Sequence, residues 1–155
     1  MHSIFVLCQN YPSEKDKYPM AFVHPRIKEY LKTGLDVKVI SFACNCPYIY
    51  DEVQVYTLQA GKELLQKSEK AILIAHAPNI KNHLFFILKT WKYLDRLILF
   101  FHGHEVLSTK KYYPRPYDFN KAAKREYRFL RLYDQIKLPV MRYYLKKFVA
   151  SGKCD

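Results

Sequence analysis

The sequence predicts an α/β fold, an open and mostly parallel doubly wound sheet with helices on both faces. Three observations carry this. Short, wholly apolar runs recur at Ile4–Cys8, Ala71–Ala75 and Leu97–Phe101, as strands buried on both faces do. Between such runs lie apolar stripes at helical spacing. The opening 42 residues read strand–loop–helix–strand, a crossover unit that favours parallel pairing. The result is a Rossmann-like architecture.

Each element follows from local chemistry. After the first strand, Gln9–Pro19 is polar, holds Pro12 and Pro19, and predicts a loop. Val23, Ile27, Tyr30 and Leu31 then form one helical stripe, with Pro25 fitting only in the first turn and Gly34 placed to stop the helix. Val37–Phe42 reads as the second strand and Val53–Leu58 as the third, followed by a short helix over Gly61–Lys70. Ala71–Ala75 is the fourth strand. Ile80, Leu84, Ile87, Leu88 and Trp91 mark another helix, and Leu97–Phe101 is the fifth strand. Beyond residue 107 the pattern changes. Ser108–Tyr117 reads as a loop with Pro114 and Pro116, and Asp118 as the N-cap of a helix reaching about Gln135. Leu138-Pro139 is expected to interrupt before a second helix over Val140–Ala150, whose stripe is Met141, Leu145 and Phe148. The organisation expected is a βα core over 1–107 and a basic, Tyr-rich helical segment over 108–155 of the same domain.

At 155 residues with 50% hydrophobic and 26% charged side chains, the chain has material for one packed domain and not for a disordered segment. No apolar run approaches the ~20 residues of a membrane span, and the first one reaches Gln9 and Asn10 too soon for a secretory leader. A cytoplasmic protein is expected, with Cys8, Cys44, Cys46 and Cys154 as free thiols. Cys44-Asn45-Cys46 has no second ligand pair at zinc spacing, and no metal is expected.

Charge is unevenly spread. The chain carries a formal +12. Residues 1–60 balance 6 basic against 6 acidic side chains, whereas residues 110–155 hold 13 basic, 4 acidic and 7 tyrosines. Such a segment asks for an anionic partner or is simply a solvated face. The residues singled out for membrane or polyanion contact are Lys110, Lys111, Arg115, Lys124, Arg125, Arg128 and Arg131.

Ligands of open α/β sheets bind beyond the carboxyl ends of the strands. Three predicted strands lead there into polar residues: Gln9-Asn10-Tyr11-Pro12-Ser13, His76-Ala77-Pro78-Asn79 and His102-Gly103-His104-Glu105. A histidine or glutamate at that edge can bind a hydroxyl or move a proton, and each also has a plain reading as a loop residue. Several activities fail on spacing. The chain has no G-x-G-x-x-G, no G-x4-G-K-[ST] and no G-x-S-x-G, which removes the dinucleotide fingerprint, the P-loop and the hydrolase elbow.

Asn10-Tyr11-Pro12-Ser13, Ala21-Phe22-Val23-His24, Lys32-Thr33-Gly34-Leu35-Asp36-Val37-Lys38-Val39 and Phe101-His102-Gly103-His104-Glu105 occur in an order that resembles the N-terminal, acceptor-side domain of bacterial glycosyltransferase family 4, of GT-B architecture. The resemblance spans residues 3 to about 107. It implies a metal-independent, retaining transferase for cell-surface polysaccharide or glycolipid synthesis. It also implies His102 as catalytic residue, with Asn10, Tyr11, Gly103, His104 and Glu105 binding substrate; His76 and Asn79 join them as substrate-binding candidates from their place after the fourth strand. Tyr18-Pro19-Met20-Ala21 has no glycine where many members bring bare backbone to the donor phosphates. The paired-glutamate, donor-binding half is absent from these residues, so the nucleotide-sugar donor is expected as a substrate held by another domain, and no turnover is expected from residues 1–155 alone. Family members usually continue past the segment matching Ser151–Asp155 into a further strand. No cofactor is implied. The partners implied are a glycan or lipid-linked acceptor and an anionic surface on the inner face of the cell membrane.

Two rival readings remain: an α/β module binding a phosphorylated small molecule, and a basic nucleic-acid-binding module using the Tyr and Arg residues of 110–147. Against the second, no nucleic-acid motif is present and about half of those aromatics should face a core. Nucleic acid is not the expected partner.

Overall fold

The computed structural model describes residues 3–113 and 121–154, with the side chains of 121–124 excepted. The chain divides into two compact units, Met1–Phe100 with Lys153–Asp155, and Phe101–Gly152.

The first unit is the predicted α/β sheet. In chain order its elements are β1 (Ser3–Cys8), α1 (His24–Lys32), β2 (Asp36–Ser41), β3 (Tyr48–Tyr50), β4 (Val53–Tyr56), α2 (Leu58–Lys67), β5 (Ala71–His76), a π-helical turn (Ile80–Leu84), α3 (Phe85–Thr90), a 3₁₀ turn (Trp91–Tyr93) and β6 (Leu94–Phe100). The six strands lie in the order β3-β4-β2-β1-β5-β6. All pairings are parallel except β3 with β4. Strand order reverses at β1, where β2 lies on one side and β5 on the other. The crevice between the ends of β1 and β5 is therefore the topological switch point.

Both faces of the sheet are buried, as the unalternating runs require. Ile4, Val6 and Cys8 join Val37, Val39, Val53, Val55 and Ile74 in one core cluster with Val23 and Ile27. The intervening side chains, Phe5, Leu7, Ile40 and Leu73, are fully buried as well. α1 ends as predicted: Gly34 has φ +78°, its N–H donates to Leu31 O, and Leu35 N–H donates to Tyr30 O, a Schellman stop. Pro25 occupies the first turn.

α2 starts three residues before Gly61, because Thr57 Oγ1 accepts from Ala60 N–H and caps it. Gly61 is buried inside this helix, and a Cβ there would lie 2.5 Å from Ile40 Cγ1. The helix needs this glycine to approach β2. Gly61→Ala gains about 1 kcal/mol of helix propensity but overpacks a core site, which costs about 1–3 kcal/mol. Urea unfolding should show a net loss of about 1 kcal/mol.

β3 departs from expectation. Tyr48–Tyr50, which carries no strand pattern in the sequence, is an edge strand paired antiparallel with β4 through the two-residue turn Asp51-Glu52. Both turn residues have positive φ, +44° and +67°, the backbone of a type I′ hairpin without its usual glycine. At the other edge the chain returns to β6. Leu97 N–H donates to Lys153 O, and Cys154 makes an isolated parallel bridge with Leu97.

The second unit holds α4 (Thr109–Tyr112) and α5 (Lys121–Ala150). The predicted loop thus contains a helical turn. The predicted break at Leu138-Pro139 is absent, since α5 runs through Pro139. Proline removes one N–H and one helical bond, but twenty-nine further residues of helix can tolerate that single loss. Asp118, expected as the N-cap, lies outside the described residues.

Candidate functional site

In the first unit, the carboxyl edge of the sheet carries an amide cluster at the switch point. Gln9, directly after β1, accepts on Oε1 from Asn82 Nδ2 at 2.8 Å and from Asn79 Nδ2 at 3.4 Å. Asn79 Oδ1 in turn accepts from the Asn82 backbone at 2.8 Å and caps the π-helical turn. Asn79 is thus held by Gln9, seventy residues away in sequence, and by Asn82, three residues on, and both join it as site candidates. Ala77, between β5 and this turn, has φ +48°, a left-handed conformation costly for a residue with a Cβ.

Two clefts open at this edge. Beyond the ends of β1 and β2 lies one of about 360 Å³, bordered by Asn10, Tyr11, Ser13, Asp16, Ser41 and Tyr48 among others. Asn10 is exposed there. Tyr11 is 5% exposed and committed to the fold. Its hydroxyl lies 2.6 Å from His24 Nδ1, and its carbonyl accepts from the Tyr48 hydroxyl. His24 Nε2 sits 2.9 Å from Asp51 Oδ2, and Lys28 pairs with Asp51 and Glu52. The hydrogen bond from His24, then that from Lys28, lowers the Asp51 pKa. Burial raises the Tyr11 pKa far above its ordinary value and that of Tyr48 to about 12, so both phenols stay protonated. This Tyr11–His24–Asp51 chain fastens the loop after β1 and the β3–β4 turn to α1.

The second cleft, about 350 Å³, is bordered by Phe42, Leu58, Gln59, Asn82, Phe85 and Phe86, with Lys62, Lys81 and Lys89. It lies beyond β2, β4 and β5. None of the three lysines pairs with a carboxylate of the described residues. The sequence reading passed over them because they are spread along 28 positions and only the crossovers bring them together.

His76 ends β5 buried at 1% exposure, its ring stacked on Phe100 at 4.9 Å. His83 is fully buried beside Phe42 at 4.8 Å. Burial takes the His83 pKa down to about 4, although the nearby His76 backbone favours the charged form. It is neutral at neutral pH.

In the second unit, Gly103–Leu107 forms a tight turn directly after His102. Gly103 has φ +117°, and a Cβ on it would stand 2.7 Å from Tyr113 Oη, so conformation and space both demand glycine. Its carbonyl accepts from Leu107 N–H at 2.8 Å. Glu105 Oε2 accepts from His102 N–H at 3.0 Å, and the His104 ring stacks on Tyr113 at 4.2 Å. His102 itself is exposed. Behind the turn, Lys137 donates to the His104 carbonyl at 2.5 Å and forms an ion pair with Asp134 Oδ1 at 2.6 Å. Asp134 Oδ2 accepts from Thr109 N–H, also at 2.6 Å. Burial pushes the Asp134 pKa up, but Lys137 and Thr109 together outweigh it and hold the group ionised.

Lys110, Arg128 and Arg131 meet around a cleft of about 580 Å³ that also takes in Leu132, Asp134 and Leu138. Lys111 and Arg125 are exposed outside that lining. Arg115 and the Lys124 side chain lie outside the described residues. Cys44 Sγ donates to the Cys46 carbonyl at 3.0 Å. Among the described residues, no three His, Cys, Asp or Glu side chains are grouped to hold a metal ion, and no helix is long and apolar enough to cross a membrane.

Compared with known proteins, the chain matches no family model, no curated protein and no solved structure.

Proposed function

We propose that this chain is the acceptor-side half of a glycosyltransferase, holding a glycan or lipid-linked acceptor that receives a sugar from a nucleotide-sugar donor gripped by a separate domain. The observation that carries this reading is the pair of clefts at the carboxyl edge of the sheet, where doubly wound folds take their ligands. One offers Asn10, Ser13 and Asp16, neutral and acidic groups suited to hydroxyls. The other offers three lysines over Phe42, Phe85 and Phe86, suited to a phosphate on an apolar body. A lipid-linked acceptor presents both chemistries.

In this reading His102 is the catalytic residue, directly before a turn whose shape depends on Gly103 and Glu105. In the first unit Asn10 and Asn79, which border or anchor the edge, bind substrate, whereas His76 is buried against Phe100 and supports the edge from behind. Metal independence, retention and attachment to the inner membrane face belong to the proposal through the resemblance.

Saturation-transfer NMR with a panel of neutral oligosaccharides tests the reading. Binding to the wild-type chain and its loss by about tenfold in Asn10→Ala/Asp16→Ala are expected, since each lost hydrogen bond to a polar ligand costs about 0.5–1.5 kcal/mol. Binding unchanged by that pair would remove the polar cleft from the acceptor site.

A further inference from the structure

α5 presents an apolar stripe to solvent. Phe129, Leu132, Ile136 and Tyr143 are 65%, 64%, 65% and 60% exposed. At 100° per residue they fall within an arc of about 60° and extend for about 21 Å along the helix. Soluble helices turn such stripes toward a core, and four large apolar side chains on one exposed arc call for an occupant.

Charge identifies that occupant. Arg128, Arg131, Arg142 and Lys146 run along one side of the stripe, and Arg125 and Lys147 stand near its ends. All six are exposed, and none pairs with a carboxylate of the described residues. The acidic side chains of the helix are Glu126, which lies off the stripe, and Asp134, which is buried against Lys137. An apolar strip bordered by cations matches the boundary between acyl chains and anionic headgroups. A nucleic acid would engage the arginines but leave the aliphatic pair Leu132 and Ile136 in water.

We propose that α5 docks the chain on an anionic membrane surface. Phe129, Leu132, Ile136 and Tyr143 enter the acyl boundary, while the flanking arginines and lysines meet headgroup phosphates. The inference deepens the acceptor reading above by naming the surface on which a lipid-linked acceptor is met, and it rests on that reading for this purpose only. Its evidence is confined to α5.

Cosedimentation of the full 155-residue chain with vesicles tests it, using neutral phosphatidylcholine against the same lipid with 30% phosphatidylglycerol (about the anionic fraction that raises a surface potential). Binding to the anionic vesicles is expected, weakening as salt rises. Phe129→Gln/Ile136→Gln should weaken it by about tenfold or more with helix content and melting unchanged. Arg131→Gln/Arg142→Gln should weaken it and flatten the salt dependence. Equal binding to both vesicle types, or binding indifferent to Phe129→Gln/Ile136→Gln, overturns the proposal. So does lipid-free dimerisation abolished by that pair, which would make the stripe a contact between copies, and so does tight binding of single-stranded RNA without vesicle binding. Oligosaccharide binding at the sheet edge is read separately, so loss of one claim leaves the other standing.

Discussion

Replacing Lys137 with Met is expected to destabilise the chain by about 3 kcal/mol, the scale for breaking a buried ion pair by removing one partner. Side-chain exposure is 11% for Lys137 and 7% for Asp134. The substitution leaves the Asp134 carboxylate with Thr109 and no countercharge, and it leaves the His104 carbonyl without its donor. Most of the cost comes from the orphaned charge, so Lys137→Met/Asp134→Leu should recover part of it, and the pair should be strongly non-additive in urea unfolding. The contribution of Asp134 to the pH response should also change sign in the single variant. With the lysine gone, burial dominates Asp134 and lifts its native pKa above the unfolded value. Its destabilisation should then shrink as pH falls from 7 toward 4, because protonation removes the stranded charge. Additive single and double variants would show that the pair contributes nothing specific to the second unit.

The wild-type chain should lose roughly 3 kcal/mol of stability between pH 7 and pH 4 through His83 alone. The native imidazole titrates at about 4 because it is buried, whereas an unfolded histidine titrates near 6.5. Between those values the unfolded chain binds more protons, so stability rises with pH across that window. It is complete above about 6.5, and no further slope from this group remains below 4. His83→Phe, placed beside Phe42, should flatten the slope between pH 4 and 6.5. An unchanged slope in that variant would assign the acid sensitivity to other groups.

What could be read from the sequence depended on whether a signal was local. Ile4–Cys8 and Ala71–Ala75 announced central strands because burial on both faces leaves no polar alternation, and Gly34 announced a helix stop because its conformation needs no Cβ. The β3–β4 hairpin stayed hidden because Asp51 and Glu52 adopt left-handed geometry without glycine, held in place by His24 and Lys28 from a distant helix. Pro139 suggested a break from local rules, but the continuous helix prevails around it. At the site, Asn10 and Asn79 were legible from their places after strands. Gln9 with Asn82 and the Lys62–Lys81–Lys89 group were not, since only the sheet order brings residues of such separation together. Tyr11 drew attention for its loop, yet its hydroxyl is spent on His24, a partner no spacing rule reveals.

The most direct test of the acceptor-side reading is a residue-resolved map of ligand binding by ¹H–¹⁵N NMR on the 155-residue chain. Titration with a neutral oligosaccharide should shift the amides of Asn10, Ser13, Asp16 and Ser41, and a short prenyl diphosphate should shift those near Lys62, Lys81 and Lys89. Silence at both clefts, with shifts confined to Lys110, Arg128 and Arg131 on adding single-stranded RNA, would contradict it and make the chain a nucleic-acid-binding module.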